Sequence, residues 1–130
     1  MPSHTSRQMN PQMRQQLDEA IRLALECAQV CQQCGAECVA MDMRGMSQCI
    51  ELCRDCADVC LLDAQLMSRN SPFHIQSCAL CADVCEACAT ECEPMAASHE
   101  GDMQSLLQRC ANICRRCAEA CRQMAAMAHA

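Results

Sequence analysis

Cysteines recur along this 130-residue chain in four groups with nearly the same spacing. In three groups the cysteines are separated by steps of four, three and four residues, and in the remaining group by three, four, three and four. A thiolate can bind soft metal ions, form a disulfide or act as a nucleophile. The members of the four groups are Cys27, Cys31, Cys34 and Cys38; Cys49, Cys53, Cys56 and Cys60; Cys78, Cys81, Cys85, Cys88 and Cys92; and Cys110, Cys114, Cys117 and Cys121.

The spacing within each group is that of an α-helix. At about 100° per residue, steps of four, three and four keep four side chains within an arc of roughly 60°. The five-member group spans about 80° by the same arithmetic. Each group therefore predicts one helix that carries a stripe of thiols along a single face.

Helix-capping and helix-breaking residues fall between the groups. Asn10 followed by Pro11 is an N-cap with a proline at the first helical position, and Ser71 with Pro72 repeats this signal. Gly45 suits the left-handed residue that closes the first helix, and Gly101 with Asp102 marks the last boundary. The predicted helices span residues 11–43, 46–69, 72–97 and 102–127.

Short connections between these helices predict the fold. Connections of two to four residues make neighbouring helices antiparallel. We therefore expect an all-α protein, an antiparallel up-down-up-down four-helix bundle with a cysteine-lined lumen formed by residues 11–130. Residues 1–10 are expected to form a flexible N-terminal segment. Pro94 lies inside the third predicted helix, where it removes a hydrogen bond and should kink or end the helix.

Three roles for the thiols other than metal binding are disfavoured. Alanine, valine and leucine fill a core without the reactivity of cysteine, so seventeen structural thiols are not needed. Residues four apart on a helix have Cβ atoms about 5–6 Å apart, whereas a disulfide needs about 3.5–4.5 Å. A redox C-x-x-C motif normally occurs once, at a βα junction. We therefore expect metal binding without catalytic turnover.

Charge balance favours copper(I) among the candidate metals. A Zn²⁺ ion bound by four thiolates leaves a charge of −2, and several such sites in a dry core would accumulate buried charge. One Cu⁺ per thiolate is neutral, and this soft ion prefers thiolate and thioether ligands. Iron–sulfur clusters are generally wrapped by loops that carry a few cysteines. Zinc-thiolate storage or buffering and an iron–sulfur or redox carrier remain the alternatives.

At one end of the bundle, here called the mouth, the stripes continue into side chains that could also bind copper. Thioether and imidazole groups are both copper ligands, so copper is expected to enter at this end. The mouth consists of Met41, Met46, Met95, His99 and Met103.

At the opposite end, here called the closed end, the stripes continue into mainly apolar side chains that should form a plug. His74 lies near the stripe at this end, and a role for it stays open. His4 and His129 are not expected to bind metal. The closed end consists of Ala20, Leu23, Ala64, Met67, Ile75 and Met124.

Composition excludes several other functions. The net charge is −6, with 10 basic and 16 acidic residues, which argues against binding to nucleic acid. The sequence contains neither a basic amphipathic stretch nor an apolar run of about 18 residues, so no membrane association is expected. The first 25 residues lack the apolar run of a signal peptide, and we therefore expect a reducing cytoplasmic location.

The four cysteine repeats, taken together, resemble those of the bacterial copper storage proteins, four-helix bundles whose lumen holds many Cu(I) ions. The resemblance covers about residues 11–127 and is closest to the cytosolic branch of that family. It implies storage or detoxification of Cu(I) and a homotetrameric assembly. We also expect a partner protein that donates copper to this chain or accepts copper from it. The resemblance also implies that the seventeen cysteines are ligands, together with the mouth residues. The five cysteines of the third group depart from the four found in the others.

Overall fold

The computed structural model describes residues 9–41 and 45–127, and these ranges contain four α-helices and no strand. His4, His129 and most of the segment expected to be flexible lie outside these ranges, so the structure leaves those expectations untested. The prediction of an all-α chain is confirmed. The helices are α1 (Pro11–Ala40), α2 (Ser47–Ser68), α3 (His74–Ala97) and α4 (Gly101–Met127).

The four helices form a closed ring around a central axis. Each helix packs against the next in the chain, and α4 packs back against α1. Diagonally opposite helices contact each other through sulfur atoms. The Cys27 and Cys85 sulfurs, for example, lie 4.0 Å apart. The predicted antiparallel up-down-up-down bundle with a cysteine-lined lumen is therefore confirmed.

The beginning of α1 follows the predicted cap, whereas its end comes earlier than predicted. The Asn10 side chain accepts a hydrogen bond of 2.8 Å from the Met13 amide, with Pro11 in the first turn. The helix ends at Ala40, and the Met41 amide donates to the Glu37 carbonyl at 3.0 Å. Residues 42 and 43, the last of the predicted span 11–43, lie outside the described residues.

Gly45 and Gly101 both adopt a left-handed backbone, which the sequence predicted for Gly45. Gly45 has φ of +80° and Gly101 has φ of +65°, a region that side chains with a Cβ atom rarely occupy. Gly45 precedes α2 instead of terminating α1, and Gly101 is the first residue of α4. Both glycines therefore reverse the chain at the mouth of the bundle.

The predicted start of α3 is wrong. The helix begins at His74 and not at residue 72, because Ser71 organises a turn instead of an N-cap. The Ser71 hydroxyl accepts from the Phe73 amide at 3.2 Å, and its carbonyl accepts from the His74 amide at 3.0 Å. The predicted end of α3 at residue 97 is confirmed, and Pro94 therefore does not end the helix. Pro94 lies only one turn before the end of α3, so few backbone hydrogen bonds of the helix lie beyond it.

The outer face of the bundle is polar over much of its surface. Arg115 and Arg122 of α4 form ion pairs with Glu93 and Glu86 of α3, respectively. Such exposed pairs contribute little to stability, about 0–1 kcal/mol each. No helix in the described ranges has both the length and the hydropathy needed to cross a lipid bilayer.

Candidate metal centre

All seventeen cysteines lie inside the bundle. Each has 0% of its surface exposed, and none forms a disulfide. The helical spacing explains this, because each stripe is the face that its helix turns toward the axis. Alanines such as Ala24, Ala57, Ala89 and Ala111 are also buried, and their small side chains allow the four helices to approach closely.

The sulfur atoms touch one another along the axis and form a continuous array, here called the sulfur column. The Cys49 and Cys92 sulfurs lie 3.3 Å apart near the mouth. The Cys60 and Cys81 sulfurs lie 3.6 Å apart toward the closed end. Between these pairs, contacts of 3.5–4.0 Å join sulfurs of neighbouring and diagonal helices. Packing of a hydrophobic core does not by itself require so many thiols, because alanine, valine and leucine fill a core equally well.

Several sets of four sulfurs are compact enough to surround a metal ion. Within each set all four sulfurs lie within 4.8 Å of one another. Many cysteines belong to two sets, so neighbouring sites share ligands. The sets include Cys27, Cys56, Cys60 and Cys85; Cys27, Cys31, Cys56 and Cys114; Cys31, Cys88, Cys110 and Cys114; Cys34, Cys53, Cys92 and Cys110; and Cys60, Cys81, Cys85 and Cys117.

Cys114 illustrates how one sulfur can serve several sites. Its sulfur lies 3.6 Å from that of Cys31 and 3.7 Å from that of Cys27, both on α1. It also lies 3.9 Å from the Cys56 sulfur on the diagonal helix α2. A thiolate in this position can bridge metal ions held by three helices.

The electrostatic environment differs from one thiol to the next. Burial raises the pKa of Cys38 to about 12, and the neighbouring Cys34 adds to this effect. Hydrogen bonding from Cys110 lowers the pKa of Cys53 to about 6. A thiolate in this core is thus stabilised only where a neighbouring S–H group donates to it. Metal binding must displace the protons of the remaining thiols.

The mouth residues are not equally buried. Met46 and Met103 are 1% and 5% exposed and extend the core beyond the last cysteines. Met95 is partly buried against the same core, whereas Met41 is 54% exposed. The two buried thioethers are therefore placed to contact a metal ion that reaches the column, and Met41 faces solvent.

His99 has a hydrogen bond that fixes its tautomer. Its Nδ1 atom lies 2.6 Å from the Met95 carbonyl oxygen, which can only accept. Nδ1 must therefore carry the proton, and in the neutral ring Nε2 keeps its lone pair. Histidine ligands of metals commonly have such a carbonyl partner on the other ring nitrogen. The half-buried ring therefore keeps a lone pair on Nε2, which is the atom that a metal ligand needs.

The closed end contains the apolar side chains that the sequence indicated. Leu23 and Met124 are 5% and 4% exposed, and Ala64 and Met67 are also buried. Ile75 is only partly buried. These side chains separate the sulfur column from solvent at this end.

Asp63 is a feature of the closed end that sequence reasoning missed. Its carboxylate is completely buried and accepts hydrogen bonds from Ser77 at 2.6 Å, Cys78 at 3.2 Å and Cys121 at 3.3 Å. Burial raises the pKa of Asp63 to about 6, although the three hydrogen bonds oppose the shift. A signal was present, because Asp63 follows Cys60 by three residues and continues the stripe of α2.

His74, whose role the sequence left open, is buried at the same end. His74 is 9% exposed, and the Nδ1 atom of its ring has no hydrogen-bond partner. Burial lowers the pKa of His74, while the nearby Asp63 carboxylate acts in the opposite direction. The ring is therefore favoured in its neutral form, which is the form that binds metals.

Comparison with known proteins identifies relatives over nearly the whole chain. The family model described as copper storage protein matches residues 13–126. The uncharacterized cysteine-rich protein YhjQ of Bacillus subtilis is 42% identical over 81 residues, which cover 62% of this chain and 75% of that protein.

Solved structures of similar proteins share the fold. The Cu(I)-bound copper storage protein BsCsp3 of Bacillus subtilis is 40% identical, with a TM-score of 0.73 over 85% of this chain and 98% of that one. A cytosolic copper storage protein from Streptomyces lividans, solved during copper loading with five coppers, is 31% identical. Its TM-score is 0.78 over 90% of this chain and 98% of that one.

Proposed function

The chain belongs to the copper storage protein family, and we propose that its seventeen buried cysteines are the ligands of the Cu(I) that it stores. The protein stores copper as many Cu(I) ions in the cysteine-lined core of the bundle. The observation that carries the assignment of ligands is the sulfur column, in which every cysteine is fully buried and sulfurs from all four helices meet.

Charge neutrality explains why a column suits copper(I). Each thiol that loses a proton gains one negative charge, and one Cu⁺ per thiolate cancels it. Uncompensated charge in a dry core is strongly unfavourable, so the number of ions should follow the number of thiolates. Shared sulfurs such as Cys114 allow neighbouring ions to be bridged, which keeps the column continuous.

Zinc storage is the strongest alternative. Four-sulfur sets exist, and four thiolates are a common zinc site. Some sulfurs in these sets are shared and others are not, so a row of tetrathiolate zinc sites would still leave a net negative charge in the core. An iron–sulfur carrier fits less well, because the ligands lie on the straight helices of a packed core and not on loops.

An anaerobic titration distinguishes these metals. Reduced apo protein is titrated with Cu(I) in the presence of a competing chelator of known affinity, and separately with Zn²⁺. We expect roughly one copper per cysteine, and displacement of zinc from the column by Cu(I). Saturation at one or two coppers per chain would contradict the proposal. Binding of about one zinc per four thiolates would also contradict it if Cu(I) does not displace that zinc.

We further propose that copper enters at the mouth. Support comes from the buried thioethers of Met46 and Met103, the partly buried Met95 and the fixed tautomer of His99. Met41, the exposed member, is suited to a first contact with solvent-borne copper. The opposite end is plugged by apolar side chains such as Leu23 and Met67.

The cellular setting is also proposed. We infer a cytoplasmic protein without catalytic turnover, with no nucleic-acid or membrane partner, which receives copper from or passes it to another protein. The relative from Streptomyces lividans is described as cytosolic, and the family as one of storage proteins.

A homotetramer is proposed from the family resemblance. Exposed leucines on adjacent helices, Leu61 and Leu62 of α2 and Leu80 of α3, offer apolar surface for it. Light scattering of the purified protein measures its mass directly.

A further inference from the structure

Helix α4 carries four arginines, which fall into two pairs with different surroundings. Arg115 and Arg122 form the ion pairs with carboxylates of α3 described above. Arg109 and Arg116 lie on the side of α4 next to α1, and neither has a hydrogen bond or an ion pair within residues 9–41 and 45–127. The Glu19 carboxylate is within electrostatic range of Arg116, but it is hydrogen-bonded to another arginine. Two exposed cationic groups on this side of α4 are therefore available to bind an anion.

These two arginines line a groove between α1 and α4 that has a volume of about 480 Å³. Sites for small ligands typically have volumes of about 300–1,000 Å³ and a few convergent polar groups. The buried side chains of Val30 and Ile113 form the apolar part of the wall. The uncharged polar side chains of the wall are Gln104, Ser105, Gln108 and Asn112. The groove is therefore of a size and polarity that suit a small polar molecule.

Glu26 of α1 adds a negative charge to the groove. Its side chain is half-buried, and its Oε2 atom is shielded from solvent without a hydrogen-bond partner in the part of the chain that the structure describes. Arg22, one turn earlier on α1, donates to Glu19 instead, at 3.2 Å. A shielded carboxylate oxygen without a donor is unfavourable. The groove thus offers an acceptor that a cationic group of a ligand would satisfy.

The spacing of the three charges defines the ligand. Arg109 and Arg116 are seven residues apart on one face of α4, which corresponds to a rise of about 10 Å. A peptide of three residues in an extended conformation spans about the same length. The contact of the Cys27 and Cys114 sulfurs, at 3.7 Å, sets the register of α1 and α4 and places Glu26 at a level between the two arginines. The charges therefore match a peptide with two carboxylates about 10 Å apart and one ammonium group between or beside them.

We propose that this groove binds a low-mass peptide thiol, with two carboxylates and one ammonium group, that brings Cu(I) to the protein as its thiolate complex. The carboxylates accept hydrogen bonds from Arg109 and Arg116, and the ammonium group donates to Glu26. Cu(I) prefers thiolate ligands, and low-mass thiols such as glutathione keep a cytosol reducing. The inference rests on the proposed function, because it names the chemical class of the copper donor.

The groove lies beside the mouth, where copper is proposed to enter. Gln104, at one end of the groove, follows the mouth residue Met103 directly, and Arg109 is about 9 Å further along α4. The net charge of −6 disfavours an anionic carrier over most of the surface, so the unpaired arginines concentrate it at this place. Transfer is a ligand exchange without oxidation. The carrier's copper–sulfur bond breaks, a protein sulfur binds the ion, and the carrier leaves as the free thiol with the proton of that protein thiol.

A metal-free probe tests binding at the groove. S-methylglutathione keeps the two carboxylates and the ammonium group but cannot bind copper as a thiolate or exchange with cysteines. Calorimetric titration of reduced apo protein should show one saturable site, and Arg109→Gln combined with Arg116→Gln should weaken binding by about tenfold or more. Arg115→Gln combined with Arg122→Gln makes the same change in net charge and should bind the probe as wild type does. Glu26→Gln, a single substitution of similar volume, should also weaken binding and covers the case in which the double variant does not fold.

Copper uptake tests the role of the bound thiol. Uptake from Cu(I)–glutathione should be about threefold slower in the Arg109 and Arg116 double variant, whereas uptake from Cu(I) bound to the uncharged thiol mercaptoethanol should match wild type. Several results would overturn the inference: no saturable binding of S-methylglutathione up to about 10 mM, equal weakening in the Arg115 and Arg122 variant, or equal uptake from both donors. Normal copper saturation of wild type in the same preparation would leave the storage function intact, whereas its absence would count against storage itself.

Discussion

The sulfur atoms of Cys49 on α2 and Cys92 on α3 lie 3.3 Å apart, the shortest of the sulfur separations described above. A disulfide bond measures about 2.05 Å, so both groups are free thiols. They need to approach by little more than 1 Å to become covalently joined. This pair also lies on the mouth side of the column, the end at which Met46 and Met103 are buried.

The geometry predicts the site of first oxidation in the metal-free protein. Mild oxidation of apo protein should join Cys49 to Cys92 before other pairs, since their sulfurs start closest. Copper-loaded protein should resist this reaction because its thiolates are occupied. Peptide mapping by mass spectrometry under non-reducing conditions identifies the bond. A first bond within the closed-end half of the column, for example between Cys60 and Cys81, would contradict the prediction.

Loss of the Cys114 sulfur should lower the copper capacity of the protein. Its sulfur contacts those of Cys27, Cys31 and Cys56, so Cys114→Ser removes a bridging ligand. We expect capacity to fall by about one ion or more, on the basis of one charge per thiolate. The control Ala118→Ser places the same hydroxyl on α4 at a buried position without a thiol.

Copper content per chain after saturation and desalting gives the answer for both variants. Unchanged capacity in Cys114→Ser, with helicity preserved by circular dichroism, would show that this sulfur is not a ligand. An equal loss in Ala118→Ser would attribute the effect to packing and not to the missing thiolate.

The mouth thioethers should control the rate of copper uptake and not the capacity. Met46→Leu combined with Met103→Leu keeps the buried volume and removes both sulfurs. We expect initial uptake to slow by about tenfold, equivalent to about 1.4 kcal/mol in the barrier, with capacity unchanged. Stopped-flow absorbance of Cu(I)–thiolate formation measures the rate.

The matched control for the mouth is a pair of methionines at the other end. Met67→Leu combined with Met124→Leu alters the buried methionines of the closed end and should leave the rate as in wild type. Equal slowing in the two double variants, or no slowing in the mouth variant, would argue against uptake through the mouth.

Asp63 should make the stability of the apo protein depend on pH. Burial raises the pKa of its carboxyl from 3.8 to about 6, so folding favours the protonated form. This stabilising contribution is complete below about pH 4 and is lost as pH rises through about 6. Between pH 4 and pH 7, Asp63→Asn should therefore become more stable relative to wild type, by about 3 kcal/mol for a shift of about two pKa units.

Denaturant unfolding of reduced apo protein at several pH values tests this dependence. Asp58→Asn serves as the control, because it removes an exposed carboxylate from the same helix. A difference between Asp63→Asn and wild type that stays constant from pH 4 to pH 7 would contradict the assigned ionisation.

Cysteine spacing was sufficient to predict the fold and the cysteine lining of the core. Steps of three and four residues define one helix face, and burying four such faces leaves little choice of architecture. Helix boundaries were predicted less well. Whether Ser71 caps a helix or forms a turn depends on a local competition for hydrogen bonds, and Pro94 is tolerated because it lies so near the end of α3.

The closed end was predicted incompletely for a related reason. An isolated aspartate such as Asp63 usually lies in solvent, and its burial depends on donors from two other helices, Ser77 and Cys78 on α3 and Cys121 on α4. Sequence spacing gives the face of a helix but not which side chains of different helices share a level. The same limit explains why the unequal exposure of Met41 and Met46 at the mouth emerged only from the structure.

The central claim is that Cu(I) ions lie on the bundle axis and are bound by sulfurs from all four helices. Crystals of copper-loaded protein, measured at the copper absorption edge, locate the ions directly by anomalous scattering. We predict a row of copper peaks between the Cys49–Cys92 and Cys60–Cys81 levels, each within bonding distance of two or more cysteine sulfurs. Peaks confined to surface histidines or carboxylates, or a loaded core in which the cysteines are joined as disulfides, would contradict it.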